Sequence, residues 1–164
     1  MGGLSHSCNG SLRGIIVAWA KNLGAIHFMH TNRQLALGVI SISNEPTWIL
    51  GVIYASTSAF DRCQVWSQVQ VVLALETPLL IAGDFNCILH SEDKRGGKPF
   101  RVDRAVHEFR SFLRTSGLID LGFRGPKFTW CNNCLGQARV WERIDRVFAS
   151  LVGWMFILNP AFII

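Results

Sequence analysis

Leu79-Leu80-Ile81-Ala82-Gly83-Asp84-Phe85-Asn86 reads as a buried strand that ends in a polar turn. Four apolar residues in a row, between Pro78 and Gly83, have the length and composition of a strand covered on both faces. The turn then delivers a carboxylate, Asp84, and a carboxamide, Asn86, two positions apart and on one side of the chain. Such a pair can bind a divalent cation, or grip a phosphate while polarising a water. Gly, Asp and Asn are also common turn residues, so the four residues alone leave an ordinary turn open.

The flanking elements follow from punctuation and period. Leu12–Trp19, Ala25–His30, Leu35–Ile42 and Thr47–Ala55 read as strands, separated by Asn22, Gly24, Asn32, Asn44 and Pro46. Ser58-Ala-Phe-Asp61 has the form of a capping box and predicts a helix to about Glu76, with Val65, Val69, Val72 and Leu73 on its apolar face. A second helix is predicted from about Asp103 to Thr115, burying Val106, Phe109 and Leu113 and stopping at Gly117. Leu118–Phe123, Lys127–Cys131 and Arg139–Ala149 read as further strands. The uncharged end, Val147 to Ile164, reads as strand, turn and strand, because Ser150, Gly153, Asn159 and Pro160 interrupt a run at the short limit for a membrane span. Many strands with two helices between them predict one α/β (α+β) domain of two packed sheets.

Composition excludes a disordered chain: 49% of the 164 residues are hydrophobic and 16% charged, with eleven Phe and six Trp. Five cysteines, an odd number at irregular spacing, argue against a disulfide-stapled secreted domain and for an intracellular setting. Residues 1–14 lack the basic start and apolar run of a signal peptide. The net charge of +5 arises in residues 92–146, which hold twelve basic and seven acidic groups, while residues 1–91 balance. A basic excess confined to one third of a chain points to an anionic partner, most often nucleic acid, with a solvated basic face as the alternative. Cys131-Asn-Asn-Cys134 has the spacing of half a zinc knuckle or of a redox pair, but the sequence holds no second such pair. His27 and His30 would point to opposite faces of a strand.

Further motifs follow Asp84 in order. They are Glu92-Asp93-Lys94-Arg95-Gly96-Gly97, Gly117-Leu118-Ile119-Asp120-Leu121-Gly122-Phe123, Gly125-Pro126-Lys127-Phe128-Thr129-Trp130 and Arg143-Ile144-Asp145-Arg146. With Trp48–Tyr54, Asp61-Arg62 and Trp66 upstream and Trp154 downstream, this set resembles the endonuclease domain of plant LINE-type (non-LTR) retrotransposons. That domain belongs to the endonuclease/exonuclease/phosphatase family of AP endonucleases and DNase I. The resemblance implies a DNase I-like two-sheet β-sandwich flanked by helices, and Mg²⁺-dependent hydrolysis of DNA phosphodiesters, with Mn²⁺ as a substitute metal. Asp84 would handle a proton and share the metal with Asn86, and Asn86 would also hold the scissile phosphate. Tyr54 would be the phosphate-side tyrosine, or a core aromatic at a strand end. Asp145 would orient a catalytic histidine, or pair with Arg143 or Arg146 at the surface. Lys94, Arg95, Lys98, Arg101, Thr129, Trp130 and Arg143 would contact the nucleic acid.

Two parts of the family pattern have no counterpart. Its metal-binding Glu precedes the segment matching Gly14–Trp19, but the thirteen residues before Gly14 include no acid. Its Ser-Asp-His loop follows the position of Asp145, whereas the histidines at 6, 27, 30, 90 and 107 all precede it. The expectation is a fold incomplete at both termini: an unstructured or fragmentary start over 1–11, then a partial domain over 12–164, with weak or absent catalysis. The competing expectation is a non-catalytic relic that at most binds nucleic acid through residues 92–146. A third is a phosphoesterase of the same fold acting on a small or lipid phosphodiester. No membrane association and no stable protein partner is implied. A nuclear location follows only if genomic DNA is the substrate.

Overall fold

The computed structural model describes residues 2–7, 14–19, 25–41 and 46–158. Strand β1 (Gly2–Ser7) pairs antiparallel with β2 (Gly14–Trp19), so the opening residues, expected as an unstructured or fragmentary start, include a strand. Next come β3 (Ala25–Thr31), β4 (Leu35–Ser41) and β5 (Trp48–Tyr54), close to their predicted bounds. Helix α1 (Ala59–Leu73) leads to β6 (Leu79–Asp84), the buried strand from which the sequence reading started. A short β7 (Lys94–Arg95) precedes helix α2 (Arg104–Ser116), and β8 (Ile119–Asp120), β9 (Trp130–Cys131) and β10 (Trp141–Glu142) are equally brief. Strand β11 (Asp145–Ala149) and helix α3 (Leu151–Leu158) complete the described chain.

Six strands form one mixed sheet in the order β3-β4-β5-β6-β11-β8, and β7-β10-β9 form a separate ribbon. Strands β5 and β6 are parallel because α1 carries the chain across between them, while the other pairs in the sheet are antiparallel. Both hydrogen-bonding edges of β5 are taken by β4 and β6, so β2, which packs against β5, must lie over the sheet's face. Hence the hairpin is part of a second layer, as a two-sheet sandwich requires. The outermost strand β3 carries a β-bulge between Phe28 and His30.

Local chemistry accounts for both long helices. The Ser58 hydroxyl accepts from the Asp61 amide at 3.4 Å, and the α1 residues Val65, Trp66, Val69 and Val72 are buried at three- and four-residue spacing. Asp103 caps α2 by accepting from the Val106 amide at 3.0 Å, and Gly117 ends it in the left-handed conformation. The two helices meet over the sheet in an aromatic cluster. The ring of Trp66 stacks on Phe109 at 5.0 Å and on Phe112 at 4.7 Å, and Phe85 meets Phe148 edge-on at 5.1 Å.

Two predictions need correction. Arg139–Ala149 is not one strand but β10 and β11 in different sheets, since Arg143 and Ile144 leave one ladder for the other. There the Arg143 amide bonds the Asp93 carbonyl and the Phe85 amide bonds the Ile144 carbonyl, both at 2.9 Å. After Ala149 the chain turns into α3 rather than a second strand. Ser150 starts that helix: its hydroxyl accepts from the Gly153 amide at 3.1 Å, and its carbonyl accepts from the Trp154 amide at 2.8 Å. The rest of the predicted strand, Asn159–Ile164, lies outside the described residues. Among the described residues no helix is long and apolar enough to cross a membrane.

A buried ionic cluster joins these layers. Arg146 pairs with Asp93 and, at 2.6 Å, with Asp120, and Arg143 pairs with Asp120 at 3.0 Å. Asp93 also accepts from the backbone amides of Leu89 and His90 at 3.2 and 3.0 Å. Removing Asp93 takes one of two carboxylates from a buried guanidinium and leaves Asp120 as its partner. Asp93→Ala is therefore expected to lower the unfolding free energy by about 3 kcal/mol in urea titration, the low end for breaking a buried pair. Arg104→Ala breaks only the exposed Arg104–Glu108 pair and should leave the urea midpoint almost unchanged.

Candidate active site and nucleic-acid groove

Each residue of Gly83-Asp84-Phe85-Asn86 has a separate task. Gly83 has φ +136°, and a Cβ there would stand 2.0 Å from the Ile53 carbonyl oxygen, so only glycine lets β6 close onto β5. Phe85 is fully buried in the aromatic cluster and anchors the turn. Asn86 takes φ +45°, which its short polar side chain tolerates, and its amide donates to the Asp84 carboxylate at 2.7 Å. Asp84 is thereby held at the strand end with its carboxylate facing the turn.

Strand register gathers the predicted catalytic residues. Tyr54 pairs with Asp84 across the parallel β5–β6 ladder, and Asp145 pairs with Asp84 across the antiparallel β6–β11 ladder. Residues in register on neighbouring strands share a face, so Tyr54, Asp84 and Asp145 form a row. The row lies on the face of the sheet opposite the aromatic cluster. The alternative of a surface salt bridge for Asp145 is overturned: Arg143 and Arg146 both turn to Asp120, leaving Asp145 exposed beside Asp84. Burial pushes the Asp84 carboxyl above its usual range. The amide of Asn86 opposes that shift, the charge of Asp145 reinforces it, and Arg62 opposes it more weakly.

Of the two roles expected of Asn86, the atom it presents suits the metal rather than the phosphate. Its Nδ2 donates to the Ala55 carbonyl at 2.6 Å and to Asp84 at 3.3 Å, so its protons face protein oxygens and Oδ1 is the atom it offers. An amide oxygen suits a cation, not the negative charge of a phosphate. Two carboxylates and an amide oxygen are hard donors of the kind Mg²⁺ takes, with waters and phosphate oxygens completing its shell. The like charges of Asp84 and Asp145 are the feature such an ion would relieve. The donors available here are two carboxylates and one amide oxygen, and among the described residues no group of three or more His, Cys, Asp or Glu could hold a metal ion.

Beside Asn86 opens a groove of about 870 Å³ whose walls include Arg62, Lys94, Lys98, Phe100, Arg101 and Trp130. Sequence reasoning placed Lys94, Lys98, Arg101 and Trp130 on a nucleic-acid surface, and all four line this wall. Their availability differs: Lys94 is engaged with Glu142 at 2.6 Å, whereas Lys98 and Arg101 are exposed. Three other candidates fall elsewhere. Arg143 is buried against Asp120 with its guanidinium 4.8 Å over the Phe123 ring, so it braces the fold and cannot reach a phosphate. The Thr129 hydroxyl accepts from the amides of Ile144 and Asp145 at 3.2 and 3.1 Å, which positions the Asp145 backbone. Arg95 faces a different cavity. Sequence reasoning passed over Arg62, which is buried and anchored by the carbonyls of Ser56 and Thr57 at 2.8 and 3.0 Å. Its signal was periodicity, because a cation sat at a core position three and four residues before Val65 and Trp66. Cys87 also lines the groove, but burial pushes its thiol up to about 11, which excludes a thiolate nucleophile.

No histidine hydrogen-bonds Asp145 among the described residues. His27 and His30 sit on β3, with three strands between it and β11 in the sheet, and His107 lies on α2.

No family model matches the sequence, and neither does any curated protein. Solved structures do match. The endonuclease domain of TRAS1, a telomere-specific non-LTR retrotransposon, superposes with a TM-score of 0.68 at 16% identity, over 92% of this chain and 67% of that one. A conserved protein of unknown function from Enterococcus faecalis gives 0.55 at 13% identity, over 91% of this chain and 64% of that one. TDP2 from C. elegans gives 0.52 at 18% identity, over 91% of this chain and 47% of its own. Identities this low speak to fold. The chain has the DNase I-like endonuclease/exonuclease/phosphatase fold, as the motifs implied, and it spans about two thirds or less of these relatives.

The strained charge of Asp84 has a measurable consequence. A carboxyl with a raised native pKa binds more protons folded than unfolded, so its ionisation destabilises the fold as pH rises above about 4. Asp84→Asn is therefore expected to raise Tm by a few degrees at neutral pH, with the gain fading below that range. Millimolar Mg²⁺ should raise the Tm of the parent chain and not that of the variant, as read by differential scanning fluorimetry.

Proposed function

We propose that the chain is a metal-assisted phosphodiesterase that hydrolyses DNA, with its reaction centre at Asp84. The observation that carries this reading is the row of Tyr54, Asp84 and Asp145 across adjacent strand ends. Asn86, on the turn that follows Asp84, lines the groove whose walls carry Arg62, Lys94, Lys98 and Arg101. The DNase I-like fold, shared with a retrotransposon endonuclease domain, supports the same class of chemistry.

In this reading exposed Lys98 and Arg101 hold the flanking phosphates of the substrate, and Trp130 lies along the backbone path. Asp84 accepts the proton of the attacking water. Asp145 and Asn86 Oδ1 complete an oxygen-rich pocket on the same side of the sheet. A divalent ion held there supplies neutralisation of the phosphate charge. Tyr54 donates its hydroxyl to a phosphate oxygen from the adjoining strand.

A second reading, nucleic-acid binding without efficient hydrolysis, is favoured by one observation: Asp145 has no imidazole to orient among the described residues. Nicking of supercoiled plasmid with Mg²⁺ separates the two. The first reading expects nicking that falls at least about 100-fold in Asp84→Ala, the usual loss when a general base is removed. Lys98→Ala and Arg101→Ala together should weaken duplex binding and flatten its salt dependence, whichever reading holds. A folded parent chain that binds duplex and does not nick it establishes the second reading and overturns the first.

A further inference from the structure

The ribbon β7-β10-β9 has two faces, and the groove beside Asn86 uses only one. Lys94, Glu142 and Trp130 stand in one register row and line that groove. The next row, Arg95, Trp141 and Cys131, points to the opposite side, because neighbouring residues on a strand alternate faces. There Arg95 and Trp141 line a second cavity of about 600 Å³, together with Lys127, Phe128 and Arg139. Its walls carry three cations, two aromatic rings and no acidic residue.

This cavity is built rather than incidental. Gly96 has φ +82°, and a Cβ there would stand 2.2 Å from the Arg139 carbonyl oxygen, so glycine is what allows Arg95 and Arg139 to converge. The Arg139 Nε donates to the Cys134 carbonyl at 2.8 Å, which fixes the side chain with its guanidinium 5.9 Å from the Trp141 ring. The arrangement holds fixed positive charge over one face of the Trp141 ring.

We infer that this second cavity binds an unpaired nucleotide of single-stranded DNA, with its base against Trp141 and Phe128 and its phosphates on Arg95, Lys127 and Arg139. Aromatic platforms flanked by cations are how proteins hold unpaired strands, since every base has a π-face and every linkage a charge. A duplex keeps its bases stacked inside and could offer only phosphates, leaving the aromatic wall unused. The two grooves share one thin ribbon as a wall, so a strand that leaves the first groove unpaired can continue over the ribbon into the second. The inference takes its choice of DNA from the proposed function, but the binding itself requires no hydrolysis.

Fluorescence anisotropy at fixed salt tests it, with a fluorescein-labelled oligothymidylate of about twelve nucleotides, within the usual site size for unpaired strands. A duplex of equal length is the control. Trp141→Ala and the double variant Lys127→Gln/Arg139→Gln are each expected to weaken oligothymidylate binding about tenfold, with duplex affinity and plasmid nicking nearly unchanged. Trp141→Phe should bind within about twofold of the parent, because it keeps a stacking face. Circular dichroism shows that each variant is folded. If Trp141→Ala disturbs the ribbon, the double variant at exposed or half-exposed positions decides alone. Parent-like oligothymidylate binding by the folded variants overturns the inference. So does an equal loss for oligothymidylate and duplex, which is the mark of bulk charge. If the parent fails to nick plasmid yet binds oligothymidylate in a Trp141-dependent way, the hydrolytic reading falls and this one stands.

Discussion

Arg146 lies in the interior of the domain with its guanidinium between Asp93 and Asp120, and Arg143 closes the same cluster from the next turn of the chain. Four charges from four segments are thus fastened at one point: the loop after β6, β8, the link between the two sheets and β11. The net stabilisation from such a cluster is small, since desolvating the ions cancels much of their attraction. Its effect is positional. The Arg143 amide bonds the Asp93 carbonyl, and the Phe85 amide bonds the carbonyl of Ile144. The chain therefore leaves the ribbon at the level of the turn after β6, and Asp145 arrives opposite Asp84. Arg146 Nε has no hydrogen-bond partner, a residual penalty accepted within that geometry.

The reaction centre runs against local stability in a way the rest of the fold compensates. Asp84 is a partly buried acid beside a second acid, on a turn with a left-handed Asn86. Without its neighbours that segment would relax, because like charges and positive φ both raise its energy. Phe85 opposes the relaxation by filling the aromatic cluster, and the tight β5–β6 contact at Gly83 removes the space into which the strand could move. Packing on one face of the sheet thus maintains an unfavourable electrostatic arrangement on the other.

Much of this was legible in the sequence because the informative features are local. Continuous apolar residues marked β6, period marked the buried faces of α1 and α2, and Asp103 and Gly117 marked the ends of α2. The row of Tyr54, Asp84 and Asp145 came from motif resemblance, since residues so far apart meet only through sheet register, which composition cannot supply. What was misread depended on tertiary partners. Arg143 looked like a surface cation until Asp120 came beside it. Thr129 looked like a phosphate donor until its hydroxyl met the backbone of residues 144 and 145. The apolar end after Ala149 offered strand-forming residues, but a single hydroxyl at Ser150 could start a helix there, and no periodic pattern signalled it. Short ribbons of two-residue strands are invisible to any periodicity, so both grooves escaped the sequence reading, although it singled out Lys94, Arg95, Lys98 and Arg101 among their cations.

The bulge between Phe28 and His30 bears on the fate of the molecule in concentrated solution. Among the described strands β3 ends the six-stranded sheet, and an outermost strand with open backbone groups is a template for the next molecule. A regular β3 could pair with its own copy and extend the sheet from one protein to another. The bulge interrupts the spacing of donors and acceptors and increases the local twist, so two such edges cannot align over their whole length. One extra residue in a strand remote from the reaction centre thereby makes this edge a poorer template for a second copy of the sheet.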